Sequence, residues 1–318
     1  KIEKSIISMS KKNKYPNFFI VGAPRSGTTF IHSVLQNHRD IFSSHVKEPA
    51  FFKYKGFDNI VEFNQITEIA DYAKNKNDYL ALYKNWENEK YCIDASTHYF
   101  AKPQKIAKDI YEKSPDSKII VFLRNPIDRI ISHNSLHINL QRVKKDESIF
   151  EIIEKELILI KKNIEPWSHK YSYIRCSSYL ESLKIYHEYF QDNFRVYLFE
   201  DIKNDLDGLL NDITKFLDID NISTNELKNL NKNKSRTYRF SFLDFIITPL
   251  RFSFVGKIYK RIVPNFLKKY IRQFFYNDLK TRDIDKKTKE FIEKILKNDF
   301  SDSIKFSKLN NILYESKK

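Results

Sequence analysis

Arg25 sits at the centre of a loop that follows an apolar run, Phe18-Phe19-Ile20-Val21-Gly22-Ala23-Pro24-Arg25-Ser26-Gly27-Thr28-Thr29. Gly22 and Gly27 have the spacing of G-x-x-x-x-G-K-[ST], a loop whose backbone amides cradle phosphate. The lysine of that pattern is missing, because Thr28 follows Gly27. Successive N–H groups over residues 23–27 suit an anion, as does the dipole of a helix opening at Thr28. Ser26, Thr28 and Thr29 add hydroxyl donors, and Arg25 adds a permanent charge. Without the lysine that reaches the β- and γ-phosphates, the loop points to a nucleotide other than ATP or GTP. The plainer alternative is a strand–turn–helix junction with a surface arginine.

A second basic stretch runs Leu123-Arg124-Asn125-Pro126 and continues through Arg129 to Ser132. An apolar strand delivers Arg124 to its end, and Ser132 follows about two helical turns on. An arginine and a serine so placed can hold a second, separate phosphate. Alone the stretch says little, since helices that begin after X-Pro often carry arginine. Taken with the first loop, it implies a nucleotide with phosphate groups at two ends.

These residues need strands and helices to present them. Apolar runs with β-branched or aromatic residues predict strands over Asn17–Gly22, Tyr91–Asp94, Lys118–Leu123 and Arg195–Phe199. Between and after them, helical periodicity predicts Thr28–Gln36, Pro103–Lys113, Pro126–Asn139, Phe150–Lys162, Ser177–Phe190 and Leu206–Leu217. Pro103 and Pro126 suit a first helical turn. Strands alternating with helices imply right-handed crossovers and a parallel sheet covered on both faces. Ligands of such sheets bind beyond the carboxyl ends of the strands. Gly22, Asp94, Arg124 and Glu200 fall at or just past such ends and are expected to look into one crevice.

The 318 residues carry 56 Lys and Arg against 41 Asp and Glu, a formal charge of +15. That excess fits nucleic acid, an acidic membrane surface or an anionic ligand without choosing among them. With 26 Phe and 19 Tyr the chain has the makings of a folded core. No apolar run reaches the ~18–20 residues of a membrane-crossing helix, and the charged stretch Lys1–Lys14 lacks the apolar core of a secretory signal. Cys92 and Cys176 form neither a disulfide framework nor a metal pattern. They read as buried small hydrophobes in a reducing cytoplasm, and no metal site is expected. From Tyr238 to Tyr276 the sequence is rich in Phe, Ile and Tyr with Arg and Lys interspersed, and a charged amphipathic helix pair is expected over Lys286–Phe306. The aromatic stretch reads first as packing against the core. A peripheral membrane face or an acceptor-site wall is the sharper alternative. The chain is therefore expected to be one domain over 1–318, with a nucleotide-binding α/β core over 15–237 and a helical C-terminal extension over 238–318.

The two loops together resemble the sulfotransferases that use 3′-phosphoadenosine 5′-phosphosulfate. Pro24-Arg25-Ser26-Gly27-Thr28-Thr29 looks like their 5′-phosphosulfate loop, and Arg124 with Ser132 matches their 3′-phosphate motif. His45-Val46-Lys47-Glu48-Pro49-Ala50-Phe51-Phe52 is similar to the Lys-Glu-x-x-Phe-Phe segment of heparan sulfate and related bacterial sulfotransferases. Asp94-Ala95-Ser96-Thr97-His98-Tyr99-Phe100 looks like their next strand-end loop. Asn231-Lys232-Asn233-Lys234-Ser235-Arg236 resembles the late basic loop that closes over the nucleotide. The matching segments run in order over residues 17–236, and the rest matches loosely. The resemblance implies a P-loop NTPase-like three-layer domain and the donor 3′-phosphoadenosine 5′-phosphosulfate. It also implies a hydroxylated acceptor of glycan or glycolipid type. Lys234, Ser235 and Arg236 join the nucleotide-binding residues.

By analogy with phosphoryl transfer, sulfuryl transfer is in-line and governed by positioning and electrostatics. The resemblance then gives Arg25 the charge on the bridging and leaving oxygens, a purely electrostatic task for a group with pKa above ~12. It gives Glu48 the acceptor proton. Read alone, Glu48 is a surface glutamate paired with Lys47. His98 and His45 lie near the expected cleft and are rival bases, since related small-molecule enzymes use histidine; His133 and His137 ride on a helix. Lys47, Lys53 and Lys55 can meet an anionic acceptor, with His98 beside them. Ala95 stands where heparan-type members often carry lysine, which counts against a heparan-like acceptor. A P-loop kinase or NTPase is disfavoured by Thr28. A non-enzymatic polyanion binder is disfavoured because the basic residues are scattered and form no nucleic-acid motif.

Overall fold

A computed structural model describes residues 14–54, 73, 75–139, 142–162, 172–222, 236–238, 276–278 and 284–316. The chain runs β1 (Phe18–Gly22), α1 (Thr28–Leu35), β2 (Ile41–Ser43), α2 (Phe51–Tyr54), α3 (Lys76–Ala81) and β3 (Tyr91–Asp94). A 3₁₀ turn over Thr97–Tyr99 leads to α4 (Pro103–Lys113), β4 (Lys118–Leu123), α5 (Pro126–Asn139) and α6 (Ile149–Lys161). Then come α7 (Leu180–Phe190), β5 (Phe194–Leu198), α8 (Phe199–Asn204) and α9 (Leu206–Leu217). The last elements are β6 (Arg236–Tyr238), β7 (Tyr276–Asp278) and α10 (Lys286–Leu309).

β1 to β5 form one parallel sheet in the order β2-β3-β1-β4-β5. Central strands buried on both faces must be apolar throughout, and every residue of β1 is buried. Phe19 and Val21 point to one core with α4 and α7, where Ile106, Ile110, Leu183 and Tyr186 pack. Phe18 and Ile20 point to the other with α1 and α9, where Ile31, Leu35, Leu210 and Ile213 pack. Each such side chain contributes roughly 1.5–3 kcal/mol by leaving water. The crossover from β3 to β4 passes over β1, so the chain switches direction at the sheet's centre. That places the loops after β1, β3 and β4 side by side at the carboxyl edge.

β2 is a strand that periodicity does not predict. The other four agree with the reading to within one residue at each end. Lys286–Leu309 is one continuous helix and not a pair. No glycine or proline interrupts it, and Asp299, midway along, turns its carboxylate to the backbone amides of Tyr179 and Leu180. Ile292 and Leu296 of the same helix complete a third core with Ile130, Ile149 and Ile152. Beyond α10 the chain returns to the sheet. Val196 donates to the carbonyl of Ile312 at 2.8 Å and accepts from Tyr314 N–H at 2.9 Å, so residues 312–314 cover the free edge of β5. β6 and β7 pair antiparallel: β6 straddles the boundary read between core and extension, and β7 is a strand in the stretch read as helical. The aromatic segment from Tyr238 to Tyr276 lies almost wholly outside the described residues. Among the described residues no helix is long and apolar enough to cross a membrane.

Candidate active site

The β1–α1 loop packs so tightly that both of its glycines are required. A Cβ on Gly22 would lie 2.6 Å from the Phe100 Cβ, and one on Gly27 would lie 2.5 Å from the Ile202 Cδ1. Gly27 also has φ 82°, the left-handed region that glycine enters without strain. Arg25 is left-handed too, at φ 73°, a conformation that a non-glycine residue holds only when its surroundings fix it. No side chain caps α1. Pro24 and Thr28 are buried and Thr29 is exposed. The Ser26 hydroxyl is fully buried and has no hydrogen-bond partner.

The second motif meets the first. Arg124 donates from Nη1 to the Arg25 carbonyl at 3.0 Å, and Arg25 donates from Nε to the Ser132 hydroxyl at 3.0 Å. The Asn125 side chain accepts from the Ile127 amide and starts α5, which turns Ser132 toward the loop. The Arg124 guanidinium lies over the Phe199 ring at 4.4 Å, while its Nε is buried without a partner. Tyr179 donates its hydroxyl to the Arg124 carbonyl at 3.0 Å. Arg129, fully buried, donates to the Ser177 hydroxyl at 2.6 Å and the Tyr173 carbonyl at 2.8 Å. Burial, with repulsion from Arg124 and Arg129, pulls Arg25 below its ordinary pKa, and Glu48 opposes this. Burial also lowers Arg124, against Asp128 and Glu200. Three guanidiniums thus converge around half-buried space and partnerless donors, an arrangement relieved by an anion.

Across the loop stands Glu48, at φ 62°. Lys47 donates to its Oε1 at 2.7 Å and Thr97 donates to the same oxygen at 3.3 Å. His98 Nδ1 lies 3.9 Å from its Oε2. The two rival bases are therefore neighbours, and Lys47, read as an acceptor contact, holds Glu48. His45 is exposed. Lys53 is half-buried in α2 and lines, with Phe52, Lys102, Lys105, Arg175 and Ser178, a cleft of about 700 Å³. Lys55, Lys234 and Ser235 lie outside the described residues, and Arg236 begins β6. Of the four strand-end residues expected in one crevice, Gly22 and Asp94 are buried, Asp94 in the core, while Arg124 and Glu200 are half-buried. The sequence offers no sign of Tyr179 or Phe199 as supports of Arg124, because both arrive from distant elements. Among the described residues no three ligating side chains gather at a metal site.

Two of the three histidines buried among the described residues, His32 and His137, have pKa values lowered by that burial. His32 on α1 shares a 3.0 Å hydrogen bond with Ser43, and burial lowers its pKa to about 4. Burial, then Arg142, Arg129 and Arg25, lowers His137 likewise to about 4. Each ring is neutral when folded and takes up a proton on unfolding between pH 6.5 and 4, so stability falls as pH falls through that window. The full loss is about 3 kcal/mol per ring. The thermal midpoint is expected to drop from about pH 7.5 to about pH 5, and to drop less in His137→Gln. An equal drop in both proteins excludes a neutral His137.

The sheet order, the glycine-bounded loop after β1 and the arginines at the strand ends define a P-loop NTPase-like α/β fold with helices on both faces. The family model of the sulfotransferase domain matches residues 15–303, and the chain belongs to that family. A sulfotransferase from Alicyclobacillus acidocaldarius has a similar structure, with TM-score 0.56 and 29% identity, covering 65% of this chain and 82% of that one. Membrane-associated sulfotransferase kil1 of Dictyostelium discoideum is 30% identical over 133 residues, which are 42% of this chain and 25% of kil1. Carbohydrate sulfotransferase 15 of Mus musculus is 23% identical over 154 residues, 37% of this chain and 26% of that protein. The chain spans about a quarter of the length of these curated relatives.

Proposed function

We propose that the protein transfers a sulfuryl group from 3′-phosphoadenosine 5′-phosphosulfate to a hydroxyl of a carbohydrate-type acceptor. The observation that carries this reading is the meeting of Arg25, Arg124 and Ser132 beside the partnerless, buried Ser26 hydroxyl and Arg124 Nε. Such orphaned donors, held among like charges, fit phosphate oxygens. When bound, the donor nucleotide supplies a sulfuryl group attached to a phosphate leaving group.

The amides of the β1–α1 loop, with the hydroxyls of Ser26, Thr28 and Thr29, hold the 5′ end. Arg124 and Ser132 hold the 3′-phosphate, and Lys234, Ser235 and Arg236 close over the nucleotide. Arg25 stays protonated despite its lowered pKa and keeps a positive charge where the leaving oxygens gather. Glu48 removes the acceptor's hydroxyl proton, oriented by Lys47 and Thr97, with His98 within reach of the same proton path. Lys53 and its cleft receive the acceptor. Kinship with a carbohydrate sulfotransferase supports a glycan or glycolipid hydroxyl. The unpaired, buried Cys92 and Cys176 suit a reducing cytoplasm, and a peripheral membrane contact falls to the basic aromatic segment.

Calorimetric titration with 3′-phosphoadenosine 5′-phosphate, AMP and ATP tests the reading. The first is expected to bind at least about tenfold more tightly than AMP, because charge-assisted bonds to the 3′-phosphate are absent from AMP. ATP binding as tight or tighter, with magnesium-dependent turnover, would replace this reading with a kinase or NTPase. Salt-sensitive binding to heparin or DNA, without preference for the phosphoadenosine, would favour a polyanion binder.

A further inference from the structure

β3 ends on Asp94, whose carboxylate is 1% exposed. Three hydroxyls donate to it: Tyr79 at 2.7 Å and Tyr99 at 3.0 Å to Oδ2, and Ser96 at 2.6 Å to Oδ1. Burial raises its pKa to about 6, against the pull of these bonds, so at neutral pH it is ionised and purely an acceptor. Two of the hydroxyls pass the contact on. Ser96 Oγ accepts from the Ala50 amide at 3.0 Å, and the Tyr99 hydroxyl accepts from the Phe52 amide at 3.3 Å. Those amides border the Glu48 loop, where Glu48 and Ala50 both have left-handed backbones, at φ 62° and 53°. Non-glycine residues hold that conformation only where surrounding bonds over-determine it. The same 96–99 segment carries Thr97 and His98, which face the Glu48 carboxylate. Backbone and side chain of Glu48 thus hang on one buried group.

We propose that Asp94 is a positioning residue for the transfer reaction, acting through Ser96 and Tyr99 to fix the backbone on which Glu48 stands. The inference rests on Glu48 being the base. An amide in place of the carboxylate supplies two donors where only acceptors fit, so Asp94→Asn strands at least one of the three hydroxyls.

In Asp94→Asn, amide hydrogen exchange at Ala50 and Phe52 is expected to quicken about tenfold, the factor for one lost hydrogen bond. The Ala23 amide, bonded to the Phe122 carbonyl at 2.8 Å, should keep its protection. Affinity for 3′-phosphoadenosine 5′-phosphate should be unchanged. Sulfate release from ³⁵S-labelled donor, with water as acceptor, should fall about 100-fold, the penalty of an ångström-scale misplacement. On a Glu48→Gln background the same substitution should cost nothing more, since the base it positions is already gone. Undisturbed exchange at Ala50 and Phe52, or an equal loss on both backgrounds, overturns the proposal. Should Asp94→Asn fail to fold, Ser96→Ala removes the Ala50 acceptor and one of the three donors to Asp94 while leaving Tyr79 and Tyr99 in place, and Ser96→Thr should restore the rate. Ser96→Ala with wild-type rate and a protected Ala50 equally overturns it. If Glu48→Gln alone releases sulfate at the wild-type rate, the base assignment fails, and the exchange of the two amides still judges Asp94.

Discussion

Glu48→Gln is expected to lower turnover of the labelled donor by about three orders of magnitude, within the range of a lost general base. Glutamine keeps the shape and the hydrogen bond from Thr97, but it cannot take a proton. It also leaves Lys47 without its carboxylate partner at 2.7 Å. Nucleotide affinity should hold or tighten, because Glu48 is an acidic group that acts on the Arg25 charge. Removing a negative charge beside the anion site favours the anion. This split, lost turnover with retained affinity, separates a base from a residue that shapes the pocket. His98→Ala provides the contrast. Its ring is 3.9 Å from the Glu48 carboxylate, so as a neighbour of the base it should cost less than about tenfold. Near-wild-type turnover in Glu48→Gln, with a large loss in His98→Ala, would transfer the role to the histidine.

Arg124→Ala is expected to weaken 3′-phosphoadenosine 5′-phosphate about 100-fold while leaving AMP binding nearly unchanged. The figure follows from charge-assisted hydrogen bonds of roughly 1.5–3 kcal/mol. The two nucleotides differ only in the 3′-phosphate, so their ratio isolates that contact from any general damage. Damage should be slight. The substitution removes a half-buried charge that repels Arg25, against the loss of its bond to the Arg25 carbonyl and its stacking on Phe199. Ligand at about 100 times its Kd stabilises the wild type by about 2.7 kcal/mol. The thermal shift should therefore nearly vanish in the variant at the same concentration. An equal loss for AMP would reassign Arg124 to support of the β1–α1 loop. Arg124→Lys should recover little, because lysine offers a point charge and cannot stack as a plane.

Much of this arrangement is legible in the sequence because parallel strands buried on both faces are written as unbroken apolar runs. Phe18–Gly22 and Lys118–Leu123 announce themselves that way, and Pro103 and Pro126 mark the helices that follow. Ile41-Phe42-Ser43 is too short to show a period, and only its pairing with β3 makes it a strand. Asp94 was expected to face the crevice because it ends a strand. The two-residue alternation of side chains decides otherwise: Asp94 shares its face with Cys92, in the same core as Tyr79 and Tyr99. The meeting of Arg25 with Ser132 spans 107 residues. Motif spacing gives each end of that contact but not their distance, which is why two motifs read as separate phosphate sites turn out to share one hydrogen bond. Tyr179 and Phe199 carry no local mark at all, since they matter only through where α7 and the end of β5 come to lie.

The return of residues 312–314 to the edge of β5 sets a timetable for making the protein. Arg195 and Asn311, bonded across that edge, are 116 residues apart. At 5–20 residues per second, synthesis leaves β5 without its cover for roughly 10 seconds after the strand has been made. During that interval an open row of amides and carbonyls faces the surroundings, a template for any passing strand. Until residues 312–314 have been made, the edge of β5 is thus a point of exposure to aggregation during synthesis.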